Sequence, residues 1–275
     1  MTNRLLRLTR AELIKLTSHP FFYVSTSLIV LATVVGALML REERETVWRS
    51  YNAIAVFAGG AKVGLKLATF VVLIFGSMLF SGEFDKGTIK ILLTRPITRT
   101  DLFLSKSIVA LGLALFMTGL VLAVALATGC TVGELGPVWD DESYNSNTPY
   151  ERLLGHAGRA VGMSVGGVVA AAFLGMLVSN LVESSGFSVA MALTVFLLAD
   201  EIVLRVFRNE ELRKWFSNQY PGYAFDVLRD FARGSSTQWK EIFISGAPYL
   251  TAPLASIAVF TAVGYVIFRL RNITA

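Results

Sequence analysis

The sequence predicts an all-α, polytopic membrane protein built as one domain, and three observations predict it. The chain has 275 residues, 54% hydrophobic and only 16% charged, which is more apolar than a soluble domain of that length normally is. Six stretches are free or almost free of charge over about 20 residues, the length a helix needs to cross a bilayer. The basic residues favour alternate connections between those stretches, the pattern that orients membrane helices.

The single domain, 1–275, opens with residues 1–20. There Leu5, Leu6, Leu13 and Leu16 fall on one side of a helical wheel and Arg4, Arg7 and Lys15 on the other, until Pro20 breaks the pattern. This predicts a basic amphipathic helix lying in the membrane interface. The first span, 21–40, runs from Phe21 to Leu40 without a charge and meets Arg41 where a secretory leader would carry a small-residue cleavage site. It is expected to remain in the mature protein. The second span, 63–82, has Lys66 near its start, able to snorkel outward, and Lys62 just before it. The third covers 107–129, the fourth 160–182, the fifth 184–204 and the sixth 249–268. Asp200 and Glu201 interrupt the end of the fifth, and Arg205, one helical turn past Glu201, offers it an interfacial ion pair.

With both termini inside, the inner segments carry 11 basic and 5 acidic residues, a net of +6; the remaining 14 basic and 15 acidic residues give −1, which together make the formal charge of +5. Both termini are therefore expected in the cytoplasm, with the protein in a plasma or inner membrane. A basic inner rim beside anionic lipid accounts for the pI near 9.4 without nucleic acid. A lone cysteine, Cys130, cannot form an internal disulfide.

The connection after the second span, Ser81 to Lys106, reads SGEFDKGTIKILLTRPITRTDLFLSK. It is too polar for the bilayer and too long for a minimal turn. The expected structure is a short cytoplasmic helix ending near Thr94, a turn at Arg95 and Pro96, and a restart capped by Thr98 or Thr100. Glu83 is expected to tie the span to this short helix, Gly87 to permit close backbone approach and Pro96 to fix the turn. Charges flank an apolar patch of Ile89, Ile91, Leu92 and Leu93, and an exposed patch of that kind calls for a partner. Residues 130–159 read as a polar outer loop, and 205–248, rich in Trp215, Phe216, Tyr220, Tyr223, Phe225, Phe231 and Trp239, as helices dipping into the outer interface.

The fourth span holds two small-residue ladders at four-residue spacing, Gly162, Gly166, Ala170 and Gly167, Ala171, Gly175, Ser179. Stripes of this kind let helix backbones approach closely in lipid, and Gly162, Gly166, Gly167 and Gly175 are candidates for helix packing or for lining a translocation path. His19 and His156 are isolated in sequence and support neither a metal site nor a triad. No catalytic residue is expected. The chain also lacks a GxxxxGK[ST] phosphate loop; the stretch GGAKVG, Gly59 to Gly64, has neither its spacing nor its ending. If ATP drives this protein, another polypeptide binds it.

On these residues the chain resembles the permeases of the ABC-2 type transporter family. The resemblance is carried by Glu83, Gly87, Thr88, Leu92, Leu93, Arg95, Pro96 and Arg99 after the second span, with Ile91 in the same apolar stretch. The opening AELIKLTSHPFF, the six-span plan and the long segment before the sixth span extend it over essentially the whole chain. The resemblance implies the transmembrane subunit of a bacterial ATP-binding cassette transporter, usually an exporter. A second permease subunit, identical or different, completes a dimer, and two cytoplasmic ABC ATPase subunits bind the ATP and Mg. It also makes residues 1–20 the connecting helix and places the ATPase-coupling helix in the 83–99 segment. A non-transporting membrane sensor or assembly component working with an ABC ATPase is the main alternative. An ion-coupled secondary transporter is less favoured, because spans one, three, four and six lack charge in their centres. An intramembrane enzyme would need acidic, His or Cys groups converging at bilayer depth, and the sequence offers none.

Overall fold

Long apolar runs propagate as helices because a helix pairs its own backbone N–H and C=O groups where no water competes for them. The computed structural model describes residues 2–42, 53–88, 97–133, 138–139, 147–148, 150–202, 223–232 and 247–271. Among these, the helices are α1 (Thr2–Thr17), α2 (Pro20–Glu42), α3 (Ala53–Met78), α4 (Ser81–Asp85), α5 (Arg99–Val132), α6 (Tyr150–Leu181), α7 (Ser185–Ile202), α8 (Tyr223–Ala232) and α9 (Ala247–Leu270). A two-residue antiparallel ladder joins β1 (Val138–Trp139) to β2 (Asn147–Thr148), with Val138 opposite Thr148.

Five stretches among the described residues are long and apolar enough to cross a membrane: Pro20–Met39, Ala53–Asp85, Arg99–Val132, Leu154–Leu181 and Thr251–Leu270. The apolar part of α7, Ser185–Ala199, is shorter. Burial orders the bundle. The spanning windows of α3 and α6 are 61% and 67% buried, against 28% for α2 and 22% for α9, so α3 and α6 form the centre and α2 and α9 the periphery.

The centre depends on missing side chains. A Cβ at Gly76 would come within 2.5 Å of the Ala172 carbonyl oxygen, and one at Gly175 would overlap the Leu73 carbonyl oxygen. The two helices therefore pack backbone to backbone where they cross. Thr33 and Val121 crowd Gly64 in the same way, bringing α2 and α5 onto α3.

Several helices exceed the predicted spans. The second span was expected from Val63, yet α3 begins at Ala53. Lys62 does not end the helix, because Asp226 of α8 pairs with it, and α8 buries Phe225 and Leu228 against the core. Phe225 meets Phe57 edge to face at 5.6 Å. The third span was expected from Ser107, but α5 starts at Arg99. Thr98, not Thr100, is its cap: the Thr98 hydroxyl oxygen accepts the Asp101 N–H at 3.1 Å and the hydroxyl donates to Asp101 Oδ2 at 2.7 Å. The expected 130–159 loop is helical at both ends, where α5 runs to Val132 and α6 starts at Tyr150.

α1 differs from its predicted wheel. Leu5 and Leu16 turn inward together with Leu8, Thr9 and Glu12, whereas Leu6 and Leu13 are exposed beside Ile14. A pattern with two apolar faces looks like one stripe until a neighbouring helix selects the side it packs on. Asp200, Glu201 and Arg205, and the aromatic residues Trp215, Phe216, Tyr220 and Trp239, lie outside the described side chains.

Candidate functional site at the α4 junction

α3 ends where its hydrogen-bond ladder is interrupted at Leu79 and Phe80. The backbone N–H groups of Phe80 and Ser81, released from that ladder, both donate to Ser179 Oγ on α6, each at 2.8 Å. A helix end buried in a bundle needs such partners. One turn of helix follows, α4, and its three final side chains leave in three directions.

Glu83 points into the bundle with 2% of its side chain exposed. Its Oε1 receives Lys15 Nζ from α1 and Lys106 Nζ from α5, both at 2.9 Å. Lys106 is fully buried; it also reaches Glu12 Oε2 at 3.2 Å, donates to the Leu79 carbonyl at 2.7 Å, and lies 5.2 Å from the centre of the Phe80 ring. Two carboxylates and two ammonium groups from three elements thus form one quartet. A buried charge is tolerated only when paired in this way. Burial raises the Glu12 carboxyl above its ordinary range, Lys106 pulls it back, and Glu83 pushes it up further. Burial opposes the charge on Lys15, but Glu83 and Glu12 outweigh it and leave that amine raised. Glu83 Oε2 has no hydrogen-bond partner among the described residues.

Phe84 carries the guanidinium of Arg271 over its ring at 4.0 Å, and Asp85 Oδ2 accepts the Ser185 hydroxyl at 2.8 Å. Gly87 then ends the turn at φ +65°, with its N–H donating to the Phe84 carbonyl at 3.0 Å. Among the described residues, nothing lies within 4 Å of a Cβ built there. What the described residues show at Gly87 is a left-handed conformation, which by itself favours glycine. Thr88 Oγ1 donates weakly to the Glu83 carbonyl at 3.4 Å. Arg99 Nη1 donates to the carbonyls of Arg269 and Arg271 at 3.0 and 2.9 Å. Ile91, Leu92, Leu93, Arg95 and Pro96 lie outside the described residues.

The ladder glycines of α6 separate into different surroundings. Gly175 is pressed onto α3, and a Cβ at Gly166 would meet Pro253 of α9 at 3.1 Å. Gly167 is buried, while Gly162 is exposed, with nothing among the described residues within 4 Å of a Cβ built there. No group of three or more potential metal ligands occurs among the described residues. His19 Nδ1 accepts the Phe21 N–H at 3.3 Å, a local bond at the start of α2.

Sequence reasoning named Glu83 but missed its partners. Glu12, Lys15 and Lys106 each lie in a segment whose charges read as ordinary interfacial ones. Only an acid on the inward face of α1 between Leu8 and Leu16 hinted at a buried partner.

α4 is covalently continuous with α3 and is held to α1, α5, α6 and α7 by hydrogen bonds and ion pairs, and to the residue after α9 by the Phe84–Arg271 stack. No curated protein matches the chain. A family model described as ABC-2 family transporter protein matches residues 8–199, more than half of it, from α1 through most of α7 and including all four members of the charge quartet. The chain is a transmembrane permease of that kind and belongs to the ABC-2 transporter family.

Proposed function

We propose that this chain is the permease subunit of an ATP-binding cassette exporter, driven by a separate cytoplasmic ATPase that docks on the 83–99 segment. The observation that carries this reading is the buried quartet. A five-residue helix is too short to hold its own orientation, yet charges from α1 and α5 and the hydroxyl of Ser179 fix this one. An element held so firmly at the base of several long helices can pass a rigid-body movement into them. In this reading ATP and Mg bind the partner, since the sequence has no phosphate loop.

In this reading α7 is the fifth of six spans, both termini are cytoplasmic, and a second permease subunit completes the transporter. Within the 83–99 segment, Gly87, Thr88, Ile91, Leu92, Leu93, Arg95, Pro96 and Arg99 form the coupling surface together with Glu83, and α1 is the connecting helix. Copurification tests it. Changing Leu92 and Leu93 together to Asp is expected to abolish recovery of the ATPase with the permease. Unchanged recovery would reassign docking to α1. A cysteine at position 145 in a chain carrying Cys130→Ser is expected to label in intact cells; labelling only after permeabilisation would invert the topology.

A further inference from the structure

Arg271 lies one residue beyond α9, and the sequence marks it only as one basic residue of the inner rim. The structure gives it more partners than a topological charge needs. Its guanidinium stacks on Phe84 of α4 at 4.0 Å, pairs with Glu183 Oε1 at 2.9 Å, and donates to the Asn180 carbonyl at the end of α6. Its own carbonyl, with that of Arg269, accepts Arg99 Nη1 at the start of α5. Only 17% of the Arg271 side chain is exposed.

These contacts share a geometry. Phe84 lies at the entry of the 83–99 segment and Arg99 at its exit, so one residue grips both. The same residue reaches the α6–α7 turn through Asn180 and Glu183, and it is continuous with α9. Neighbouring bonds reinforce the closure: Asp85 with Ser185 at 2.8 Å, and Thr100 with Tyr265 at 3.2 Å. Each piece follows from elementary chemistry. A planar guanidinium can lie flat on an aromatic face while its edge donates in fixed directions to a carbonyl and a carboxylate, whereas an ammonium is a point charge with no plane to stack. The last carbonyls of α9 have no partner within their helix, and a cation at that end also complements the helix dipole.

We propose that Arg271 is a positioning residue for coupling: it closes the base of the 83–99 segment and carries displacement of that segment into α9 and the α6–α7 turn. The quartet on Glu83 ties α4 to α1 and α5, and Arg271 ties it to the end of α9 and the α6–α7 turn. The inference rests on the proposed docking of an ATPase at 83–99.

The test uses the full-length permease purified with its own ATPase. In a Cys130→Ser chain, spin labels replace Leu126 on α5 and Leu254 on α9, both exposed and both at the end of the bundle away from Arg271. The distance between them is measured without nucleotide and with ATP plus vanadate. The unaltered complex is expected to show a nucleotide-driven shift, and Arg271→Ala to lose more than half of it while the ATPase still copurifies. Arg271→Lys, which keeps the ion pair but not the stack, should restore only part. Phe84→Leu removes the stacking arm with Arg271 intact and should also reduce the shift, so the inference stays open to refutation if Arg271→Ala does not fold. A full shift in Arg271→Ala, or in Phe84→Leu, overturns the positioning role and leaves the coupling reading intact. No shift in the unaltered complex, with ATPase bound, would refute coupling itself and this inference with it.

Discussion

Glu83 and Lys106 lie 2.9 Å apart with 2% and 0% of their side chains exposed, so the base of α4 is held to α5 by a charge pair that water does not reach. Burial makes the pair unforgiving. Intact, such a pair contributes modestly to stability, because desolvation offsets most of the attraction; broken, it leaves an uncompensated charge and costs about 3–5 kcal/mol. Lys106→Ala strands both Glu83 and Glu12 and should destabilise by about that amount, read as a lowered midpoint of thermal denaturation in detergent. The double variant Lys106→Met with Glu83→Gln should recover much of the loss. Additive effects of the two changes would show that the residues do not depend on one another.

The glycines of the two α6 ladders should respond differently. Gly175→Leu drives a side chain into the backbone of α3, and overpacking of this kind costs about 1–3 kcal/mol or more. Gly162→Leu meets nothing among the described residues and should leave thermal stability near that of the unaltered chain, with Gly166→Leu intermediate because Pro253 must yield. Equal tolerance at all three positions would argue that α6 does not cross α3 at Gly175.

Glu12 makes stability depend on pH with a definite sign. Its carboxyl is raised in the folded chain, chiefly by burial, so the folded state binds the proton more tightly than the unfolded one does. The stabilisation is full below the unfolded value and is lost as pH rises through the folded one. Melting curves taken at rising pH from about 4, the unfolded carboxyl range, should show a decline with pH that is shallower in Glu12→Gln, since an amide has no proton to lose. An unaltered slope in the variant would assign the decline elsewhere.

Gly87 should reject ordinary side chains on conformation alone. At φ +65° an L-residue costs about 1–2 kcal/mol, and no described residue lies close enough to add a steric penalty. Gly87→Ala should therefore destabilise by that amount, and Gly87→Asn by less, because asparagine tolerates the left-handed region. Equal stability of the Ala and Asn variants would mean that the turn relaxes out of this conformation.

The sequence by itself determined the membrane class, the order of the apolar helices, the position of the 83–99 segment and the lack of a phosphate loop, since each is written in local composition and spacing. It also identified Glu83 as an acid following the second span, and Thr98 as one of two candidate caps for α5. Tertiary structure decided the rest. In a bilayer a helix face that meets lipid and one that meets protein are both apolar, so periodicity could not tell Leu6 and Leu13, exposed, from Leu5 and Leu16, turned inward. It likewise could not rank Gly175 above Gly162 of the neighbouring ladder. Charge reads as a span boundary until its counter-charge is known: Lys62 ends an apolar run in the sequence and lies within α3 because Asp226 faces it. Glu12, Lys15, Glu83 and Lys106 are far apart along the chain, and Arg271 is farther still from Phe84. Pairing energy depends on distance in space and on exclusion of water, and neither exists until the helices have packed.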